Sequence, residues 1–401
     1  MNRLPYSTRG SARLVFDTVR GVTNIVQRTQ ASVVGKIVPG ESLHSVGAMA
    51  SGIFAAPIYA TIRGISGALG VAVDESLMLW PSEAVGSNTE VKAIAGLNGA
   101  LGDHLEALSN PLATKMCFVH NGLPIEVKAE LLANVLPQAS SDLVVMVHGL
   151  CMSEHCWQRD SAGLGDTLHR ELDLTALYLR YNSGRHISTN GQEFSLLLGE
   201  LCEAWPVAVT SLTLIGHSMG GLVIRSACHY AEQDNRPWLV KLQQVVCLGT
   251  PHHGSPLEKA GYGLDVLLQN LPFTETLALT TKRSAGIKDL RYGNLLDEDW
   301  HGIDPDRHSI DRRKPVPLVP GVEYYFAAAT VGPHQQDIQS LLLGDLLVRL
   351  NSAVGEHSDD TRCINVKPGN CRVFYRKHHI DLLCDPVVQA QVISWLTPKL
   401  C

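Results

Sequence analysis

The chain has 401 residues, of which 45% are hydrophobic and 18% are charged, a composition typical of a globular protein. This length exceeds that of most single domains, so we expect one large core with an appendage, or two domains. The net charge of −6 at pH 7 gives no reason to expect a nucleic-acid partner.

The cysteines are diluted along the chain and lie mostly inside predicted strands and helices. This distribution favours buried thiols in a reducing compartment over a disulfide framework. Cys363 and Cys371, on either side of a Pro-Gly loop, form the one plausible bridge. Because the first residues do not have the pattern of a secretory signal, we expect a cytoplasmic location.

Residues 1–40 differ from the rest of the chain in charge, because six basic residues against Asp17 alone give this segment a charge of +5. Four valines fall on one side of a helical projection, with four arginines roughly opposite, which predicts a basic amphipathic helix. Such a helix could attach residues 1–75 to an anionic membrane surface, which would place the protein peripherally on the inner face of a membrane.

Residues 46–73 are rich in glycine and alanine and are interrupted by Pro57 and Arg63. Three interpretations stay open for this stretch. The first is a set of helices packed by small residues against the rest of the protein, the second is attachment to a membrane surface, and the third is a true membrane span. We treat residues 1–110 as a helical N-terminal extension.

From residue 111 to 401, strand and helix signals alternate regularly. The first is a hairpin signal, in which two short apolar runs flank Asn121-Gly122. Six further strand signals follow, separated by helical or loop segments: LVVMVHGL, TALYLRY, SLTLIG, QQVVCLGT, VEYYFAAATV and RVFYR. Apolar strand runs joined by helical crossovers predict an α/β domain whose mostly parallel sheet has helices on both faces.

One of these strands runs into Gly216-His217-Ser218-Met219-Gly220, and an apolar pattern at helical spacing resumes after it. Gly-X-Ser-X-Gly between a strand and a helix is the pattern of a nucleophile elbow, in which the serine takes a strained backbone and its hydroxyl projects from the turn. The alternative is a structural strand-helix turn.

A serine nucleophile needs a base and an orienting acid, which follow it in the chain order Ser, acid, His. His379 at the end of the last strand is the predicted base, and His378 is its alternative. Asp345, in a loop after VEYYFAAATV, is the predicted acid, although an ordinary turn or capping aspartate would look the same. The alternative candidates for the acid are Asp359, Asp360 and Asp381.

The oxyanion of the tetrahedral intermediate needs two backbone donors, which we assign to the amides of Met219 and Leu150. His148 is expected to be hydrogen-bonded in its turn rather than to bind a metal. His252 and His253 are expected to line the active-site crevice, because no third ligand has suitable spacing for zinc. We expect neither a cofactor nor a metal.

Six segments together resemble the α/β-hydrolase lipases and esterases, in particular the branch similar to GPI inositol-deacylases: VVMVHGL, LRYNSGRHISTNG, LIGHSMGGLVIRSA, LGTPHHGSPLEK, GDLLVRLNSA and HHIDLLCDPVV. The resemblance covers about residues 115–401. It implies Ser218 as nucleophile, Asp345 as acid and His379 as base, with Leu150 and Met219 at the oxyanion hole. One departure is Leu346, which stands where lipases of this kind often have a glycine.

Residues of about 255–320 form an insertion before the next strand. Its first half is apolar at helical spacing and could cap the active site, either as a lid or as a fixed helical cap, and its second half is charged and expected to be a solvated loop. A cap favours an apolar acyl-ester or lipid substrate. The expected activity is therefore serine carboxylic-ester hydrolysis. The alternatives are a thioesterase, an acyltransferase, and a non-catalytic membrane-attached binding module.

Overall fold

The computed structural model describes residues 88–158, 163–255, 283–302, 311, 313–334 and 344–398. Four predictions therefore lie wholly or largely outside the described residues. They are the amphipathic helix of residues 1–40, the stretch 46–73, most of the extension 1–110, and the apolar half of the cap insertion. In the described part of the chain, no helix is long and apolar enough to cross a membrane.

Eight strands form one sheet, and each coincides with a predicted strand run: β1 Cys117–His120, β2 Leu123–Ile125, β3 Asp142–Val147, β4 Thr175–Arg180, β5 Ser211–His217, β6 Leu242–Leu248, β7 Glu323–Thr330 and β8 Cys371–Tyr375. Their order across the sheet is β2-β1-β4-β3-β5-β6-β7-β8. β1 pairs antiparallel with β2 and with β4, and all the other pairs are parallel. The predicted hairpin is confirmed, since Asn121 and Gly122 have φ of 49° and 78°, as a two-residue turn requires.

Helices occupy the connections between the strands. Their bounds are α1 Asn88–Ala107, α2 Ala129–Val135, α3 Leu164–Leu172, α4 Ile187–Ala204, α5 Met219–Gln233, α6 Ala285–Asp289, α7 Leu350–Val354, α8 Asp381–Cys384 and α9 Pro386–Leu396. Short 3₁₀ helices span Glu154–Trp157, Pro237–Lys241, Asp297–Asp299 and Asp360–Arg362. α9 begins after Asp385, whose carboxylate accepts hydrogen bonds from the amides of Val387 and Val388.

The two faces of the sheet carry separate apolar clusters because successive side chains of a strand point to opposite faces. In β3, Leu143, Val145 and Val147 pack with α4 and α5, whereas Val144 and Met146 pack with α3 and α9. All five side chains are fully buried. The uninterrupted apolar strand runs in the sequence are thus explained by a sheet covered on both sides.

Residues Leu105–Ala113 group apart from the α/β domain, which comprises Ser87–His104 together with the chain from Thr114 onwards. Within Leu105–Ala113, the chain turns through hydrogen bonds from the Asn110 amide to the Leu105 carbonyl and from the Ala113 amide to the Asn110 carbonyl. Most of α1 therefore packs with the α/β domain, although it lies within the predicted extension of residues 1–110.

Two further expectations concern side chains that the structure describes. Cys363 and Cys371 are both free thiols, so the plausible bridge is not formed. The charged half of the insertion is not simply a solvated loop, because the Trp300 indole stacks on the His186 ring at 3.6 Å and donates a hydrogen bond to the Ser188 hydroxyl at 2.9 Å. This packing anchors residues 297–300 to the start of α4.

Candidate active site

Ser218 lies in the sharp turn between β5 and α5. Its backbone has φ 53° and ψ −124°, a conformation that residues with a Cβ rarely adopt. Its amide donates a hydrogen bond to the carbonyl of Leu248 at 2.8 Å, and its own carbonyl accepts one from the amide of Gly221 at 3.1 Å. These bonds hold the strained turn at the carboxyl end of the parallel strands, where binding and catalytic groups gather in such sheets.

The glycines around Ser218 are required by close approach of the backbone. A Cβ on Gly220 would lie 2.3 Å from the carbonyl oxygen of Val147, and one on Gly216 would lie 2.5 Å from the amide nitrogen of Gly221. A Cβ on Gly221 would lie 2.0 Å from the hydroxyl oxygen of Thr250. The sequence thus places glycine wherever β5, α5 and their neighbours meet, and this close packing supports the positive φ of Ser218.

His379 and Asp345 are joined by a hydrogen bond of 2.7 Å between Nδ1 of the imidazole and Oδ2 of the carboxylate. Both side chains are almost fully buried. Because a carboxylate can only accept, Nδ1 carries the proton and Nε2 is left as the basic nitrogen. Nε2 makes no hydrogen bond with the residues that the structure describes.

The turn that carries Asp345 follows β7, and its carboxylate organises the turn. Oδ1 accepts hydrogen bonds from the amides of Leu347 at 3.0 Å and Val348 at 2.7 Å, which leaves Oδ2 for the imidazole. Leu346, at the position where a glycine is often found, takes the left-handed conformation with φ 79°, and its side chain is 47% exposed. The chain therefore adopts a glycine-like backbone here with a leucine.

The Ser218 turn lies next to His379 along the rim of the sheet. Nε2 of His217 donates to the carbonyl of His379 at 3.2 Å, and the two rings are 4.7 Å apart. A Cβ on Gly249, the residue after β6, would lie 3.0 Å from both Cε1 and Nδ1 of His379. Our sequence reasoning assigned no role to His217 or Gly249, although both stand directly beside recognised strand ends.

The alternative residues for the base and the acid lie elsewhere. His378 is exposed, and its amide donates to the Asp381 carboxylate at 2.7 Å. Asp359 caps a 3₁₀ helix through the amide of Thr361, and Asp360 is exposed in that helix. None of these side chains has a hydrogen bond to His379 among the described residues, so the geometry favours Asp345 and His379.

The two amides assigned to the oxyanion hole belong to turns that meet at Ser218. Met219 is the first residue of α5, so its N–H has no partner within the helix. Leu150 lies in the turn directly after β3, and a Cβ on Gly149 in the same turn would lie 3.0 Å from the Cβ of Ser218. The turn with Leu150 is therefore in contact with the turn that presents the serine.

His148, which precedes this turn, is held as expected. Its ring stacks on Tyr181 at 4.3 Å, and its Nδ1 lies 2.9 Å from the carbonyl oxygen of Gly149. Burial lowers the pKa of its imidazole to about 4, so the ring is neutral at physiological pH. The hydroxyl of Tyr181 donates to the His148 carbonyl at 2.8 Å, which fixes the loop after β3.

Helix α1 supports the loop after β3 from the other side. A Cβ on Gly99 would lie 2.7 Å from the amide nitrogen of Cys151, and the Gly102 carbonyl accepts a hydrogen bond from the Asn182 side chain at 2.9 Å. The Ser183 hydroxyl accepts a hydrogen bond from the amide of Cys151 at 3.1 Å. This support was not anticipated from the sequence, although the glycines of α1 mark a close approach of two backbones.

The expectation that His252 and His253 line the active-site crevice stays a prediction. They line a cavity of about 310 Å³ whose described walls include neither Ser218 nor His379. His252 packs on the Phe326 ring, with the ring centroids 4.3 Å apart. Within the described ranges, no cluster of three His, Cys, Asp or Glu side chains could hold a metal ion.

The order of the eight strands, the elbow after β5, the acid turn after β7 and the histidine after β8 together define an α/β-hydrolase fold. Residues 138–298 match the family model of the PGAP1-like alpha/beta domain. The predicted resemblance is thereby confirmed over the segment that contains the elbow. None of the curated proteins matches this chain.

Solved structures with a similar fold include lipases and esterases. The mature lipase BlEst2 of Bacillus licheniformis is 15% identical, with a TM-score of 0.43 over 64% of this chain and 92% of that chain. EstA of Clostridium botulinum is 14% identical, with a TM-score of 0.38 over 65% of this chain and 89% of that chain. The esterase Pf2001 of Pyrococcus furiosus is 13% identical, with a TM-score of 0.37 over 64% of this chain and 80% of that chain.

Proposed function

We propose that the protein is a serine carboxylic-ester hydrolase that acts on an apolar acyl ester. The observation that carries this proposal is the buried hydrogen bond of 2.7 Å between Asp345 and His379, which leaves Nε2 of the imidazole, beside the Ser218 turn, without a hydrogen bond to any described residue. A serine hydroxyl is too weak a nucleophile by itself, and a base oriented in this way is what activates it.

In the proposed reaction, Nε2 of His379 takes the proton of the Ser218 hydroxyl as the oxygen attacks the ester carbonyl. The amides of Met219 and Leu150 stabilise the negative charge of the tetrahedral intermediate. His379 then gives its proton to the leaving alcohol, and the acyl group stays on Ser218. Water, deprotonated by His379, attacks the acyl-enzyme and releases the carboxylic acid.

Asp345 has two tasks in this mechanism. It keeps the proton on Nδ1 and so keeps Nε2 basic, and its negative charge stabilises the imidazolium that forms during each step. The amides of Leu347 and Val348 hold the carboxylate in the orientation that both tasks need. A thioesterase or an acyltransferase would use the same groups and would differ in the leaving group or the acceptor.

A fluorophosphonate probe tests the nucleophile. The wild-type protein is expected to be labelled and Ser218→Ala is expected not to be, because the probe reacts with an activated serine. Ser358→Ala, which changes an exposed serine in a remote loop, serves as the matched control and should be labelled like the wild type. Equal labelling of Ser218→Ala and the control would reject the assignment.

A panel of p-nitrophenyl esters of graded chain length tests the substrate class. We expect turnover that rises from acetate to medium acyl chains if the insertion forms an apolar cap over the serine. A preference for acyl thioesters at equal chain length would favour the thioesterase alternative. Absence of turnover on every ester, in a folded protein that the probe does not label, would favour the non-catalytic binding module.

We also propose that residues 1–75 attach the enzyme to an anionic membrane surface. The local charge of +5 in residues 1–40, opposite in sign to the whole chain, supports this proposal. Removal of residues 1–75 should lower co-sedimentation with anionic vesicles more than it lowers hydrolysis of a soluble ester. Unchanged vesicle binding would remove this proposal and leave the hydrolase proposal in place.

A further inference from the structure

The cavity of about 310 Å³ that His252 and His253 line has four cationic side chains among its described lining residues. Besides these histidines, it is lined by Arg225 on α5, by Arg313 and Lys314 in the segment before β7, and by Arg362 after α7. Ser218 and His379 are not among its described lining residues. Its volume is at the lower end of the roughly 300–1,000 Å³ that ligand pockets have. It therefore has room for a small molecule but differs in chemistry from an acyl-chain pocket.

Arg225 is the unusual member of this lining, because it is a buried cation that has no counter-charge within the described residues. Its side chain is only 4% exposed. One terminal nitrogen donates to the Val316 carbonyl at 2.7 Å and the other lies 3.3 Å from Nδ1 of His252. Among the described residues it has no ion pair with a carboxylate, and its Nε has no hydrogen-bond partner. Burial of a charge without a partner is costly, so such a site is expected to have a function.

His252 supplies a second donor in the same place. Because Nδ1 accepts from Arg225, the proton of the neutral ring is on Nε2. Burial, together with the Arg225 charge, keeps the pKa of His252 well below its usual value, so the ring is neutral. Nε2 is buried and has no partner within the described residues. Two residues that line the cavity, Arg225 and His252, thus each keep a buried N–H without an acceptor among the described residues.

Among the described residues in and beside the lining, cations outnumber carboxylates. Arg313 and Arg362 both pair with Asp311, at 2.8 Å and 3.2 Å. Asp299, in the lining, accepts hydrogen bonds from the amides of Leu295 and Leu296. Four cations therefore face two carboxylates, and Arg225 and Lys314 are the cations without an ion pair among the described residues. An anion in the cavity would balance this excess.

We propose that this cavity binds the phosphate group of a small molecule, held by Arg225, His252 and Lys314. Guanidinium groups match the geometry of phosphate oxygens, and charge-assisted hydrogen bonds of this type are among the strongest in proteins. A phosphate also carries enough oxygens to accept from both buried N–H groups and from the lysine at the rim. The proposal is independent of the hydrolase proposal, since its cavity does not share residues with the Ser218 site.

Calorimetric titration of the full-length protein with inorganic phosphate and with glycerol 1-phosphate tests this proposal. Glycerol is the control for binding of the organic part of the ligand. Potassium chloride at the same ionic strength is the control for screening of charges by salt. We expect saturable binding of at least one phosphate ligand and of neither control. Tighter binding of glycerol 1-phosphate would point to a phosphorylated metabolite or headgroup, and equal binding would point to free phosphate. Absence of saturable binding by both phosphate ligands would overturn the proposal.

Variants locate the binding. Lys314→Ala, at the exposed rim, should weaken phosphate binding about threefold to tenfold, and Arg225→Gln should weaken it by more than tenfold. Lys128→Ala, an exposed lysine outside the cavity, should bind like the wild type, and Ser218→Ala should too. If Arg225→Gln fails to fold, the affinities of Lys314→Ala and Lys314→Glu for phosphate test the assignment to this cavity, since neither substitution alters a buried group. Binding that is equal in Lys314→Glu, Lys128→Ala and the wild type would overturn the assignment to this cavity.

Discussion

The elbow of Ser218 and the turn of Asp345 both hold a residue other than glycine at positive φ, but they do so by different means. At the elbow, Ser218 has φ 53° and is enclosed by glycines that pack directly against neighbouring backbone. At the acid turn, Leu346 has φ 79° and is 47% exposed, and the turn is held by hydrogen bonds to the Asp345 carboxylate. Close packing of glycines therefore supports one strained backbone, and hydrogen bonds to one carboxylate support the other.

The comparison predicts the largest effect for Asp345→Asn, because this change alters both the imidazole and the acid turn. An amide at this position no longer enforces the proton on Nδ1, and it does not stabilise an imidazolium. We expect kcat on a p-nitrophenyl ester to fall by about 10³–10⁴, with a smaller change in KM. Asp360→Asn, at an exposed alternative acid, should keep full activity. A folded Asp345→Asn protein within tenfold of wild-type activity would contradict the assigned role.

The elbow should be the less tolerant of the two turns to added volume. In Gly220→Ala, the new Cβ would lie 2.3 Å from the Val147 carbonyl oxygen, and backbone cannot move away as a flexible side chain can. We expect a loss of about 3 kcal/mol or more in the free energy of unfolding, measured by urea denaturation. Gly122→Ala is the matched control, since Gly122 has φ 78° and open space around it. Its expected loss is about 1 kcal/mol, from the backbone conformation alone.

Burial beneath the elbow also predicts a dependence of stability on pH. The pKa of His148 is about 4 in the folded protein because of burial, whereas the ordinary value of histidine is 6.5. Between these values the unfolded chain binds more protons, so the contribution is complete above pH 6.5 and is lost as the pH falls towards 4. The expected loss is on the order of 3 kcal/mol.

Urea denaturation at several pH values between 7 and 4.5 measures this contribution. In His148→Asn, the dependence of the unfolding free energy on pH should become shallower by about 1 kcal/mol per pH unit. Ser358→Ala, at an exposed serine that does not titrate, should leave the dependence unchanged. An unchanged slope in His148→Asn would show that this ring is not buried in its neutral form.

The parts of the candidate site that could be predicted from the sequence are those that follow local patterns or the ends of strands. The elbow is a local pattern, and its glycines are contiguous with the strand and helix that need them, so Ser218 and Met219 could be located directly. Asp345 and His379 could be located through chain order and strand ends, because each follows a strand with a clear apolar run.

Other features depend on contacts between distant parts of the chain. The hydroxyl of Ser284 donates to the carbonyl of Gly99 at 2.6 Å, across a separation of 185 residues, and no local pattern encodes such a contact. The contact of His252 with Phe326 could not be predicted, because the end of a strand can be recognised in a sequence, whereas the direction of the side chains that follow it cannot. The stacking of Trp300 on His186 could not be predicted either, because Trp300 lies in a charged segment whose local pattern does not indicate a packed side chain.

The smallest effect on stability is expected at Leu346, where a substitution tests whether the acid turn is held by hydrogen bonds or by side-chain packing. Leu346→Gly removes the cost of a positive φ in a residue with a Cβ, about 1 kcal/mol, but it gives the unfolded chain more conformational freedom, which offsets part of the gain. Leu346→Ala keeps that cost and removes the same exposed side chain beyond its Cβ. We therefore expect Leu346→Gly to be more stable than Leu346→Ala by roughly 0.5 kcal/mol in urea denaturation. Both variants should keep wild-type kcat, since the Asp345 carboxylate still binds the amides of residues 347 and 348. If Leu346→Gly were instead the less stable variant, the acid turn would be held by packing of its side chains, as the elbow is.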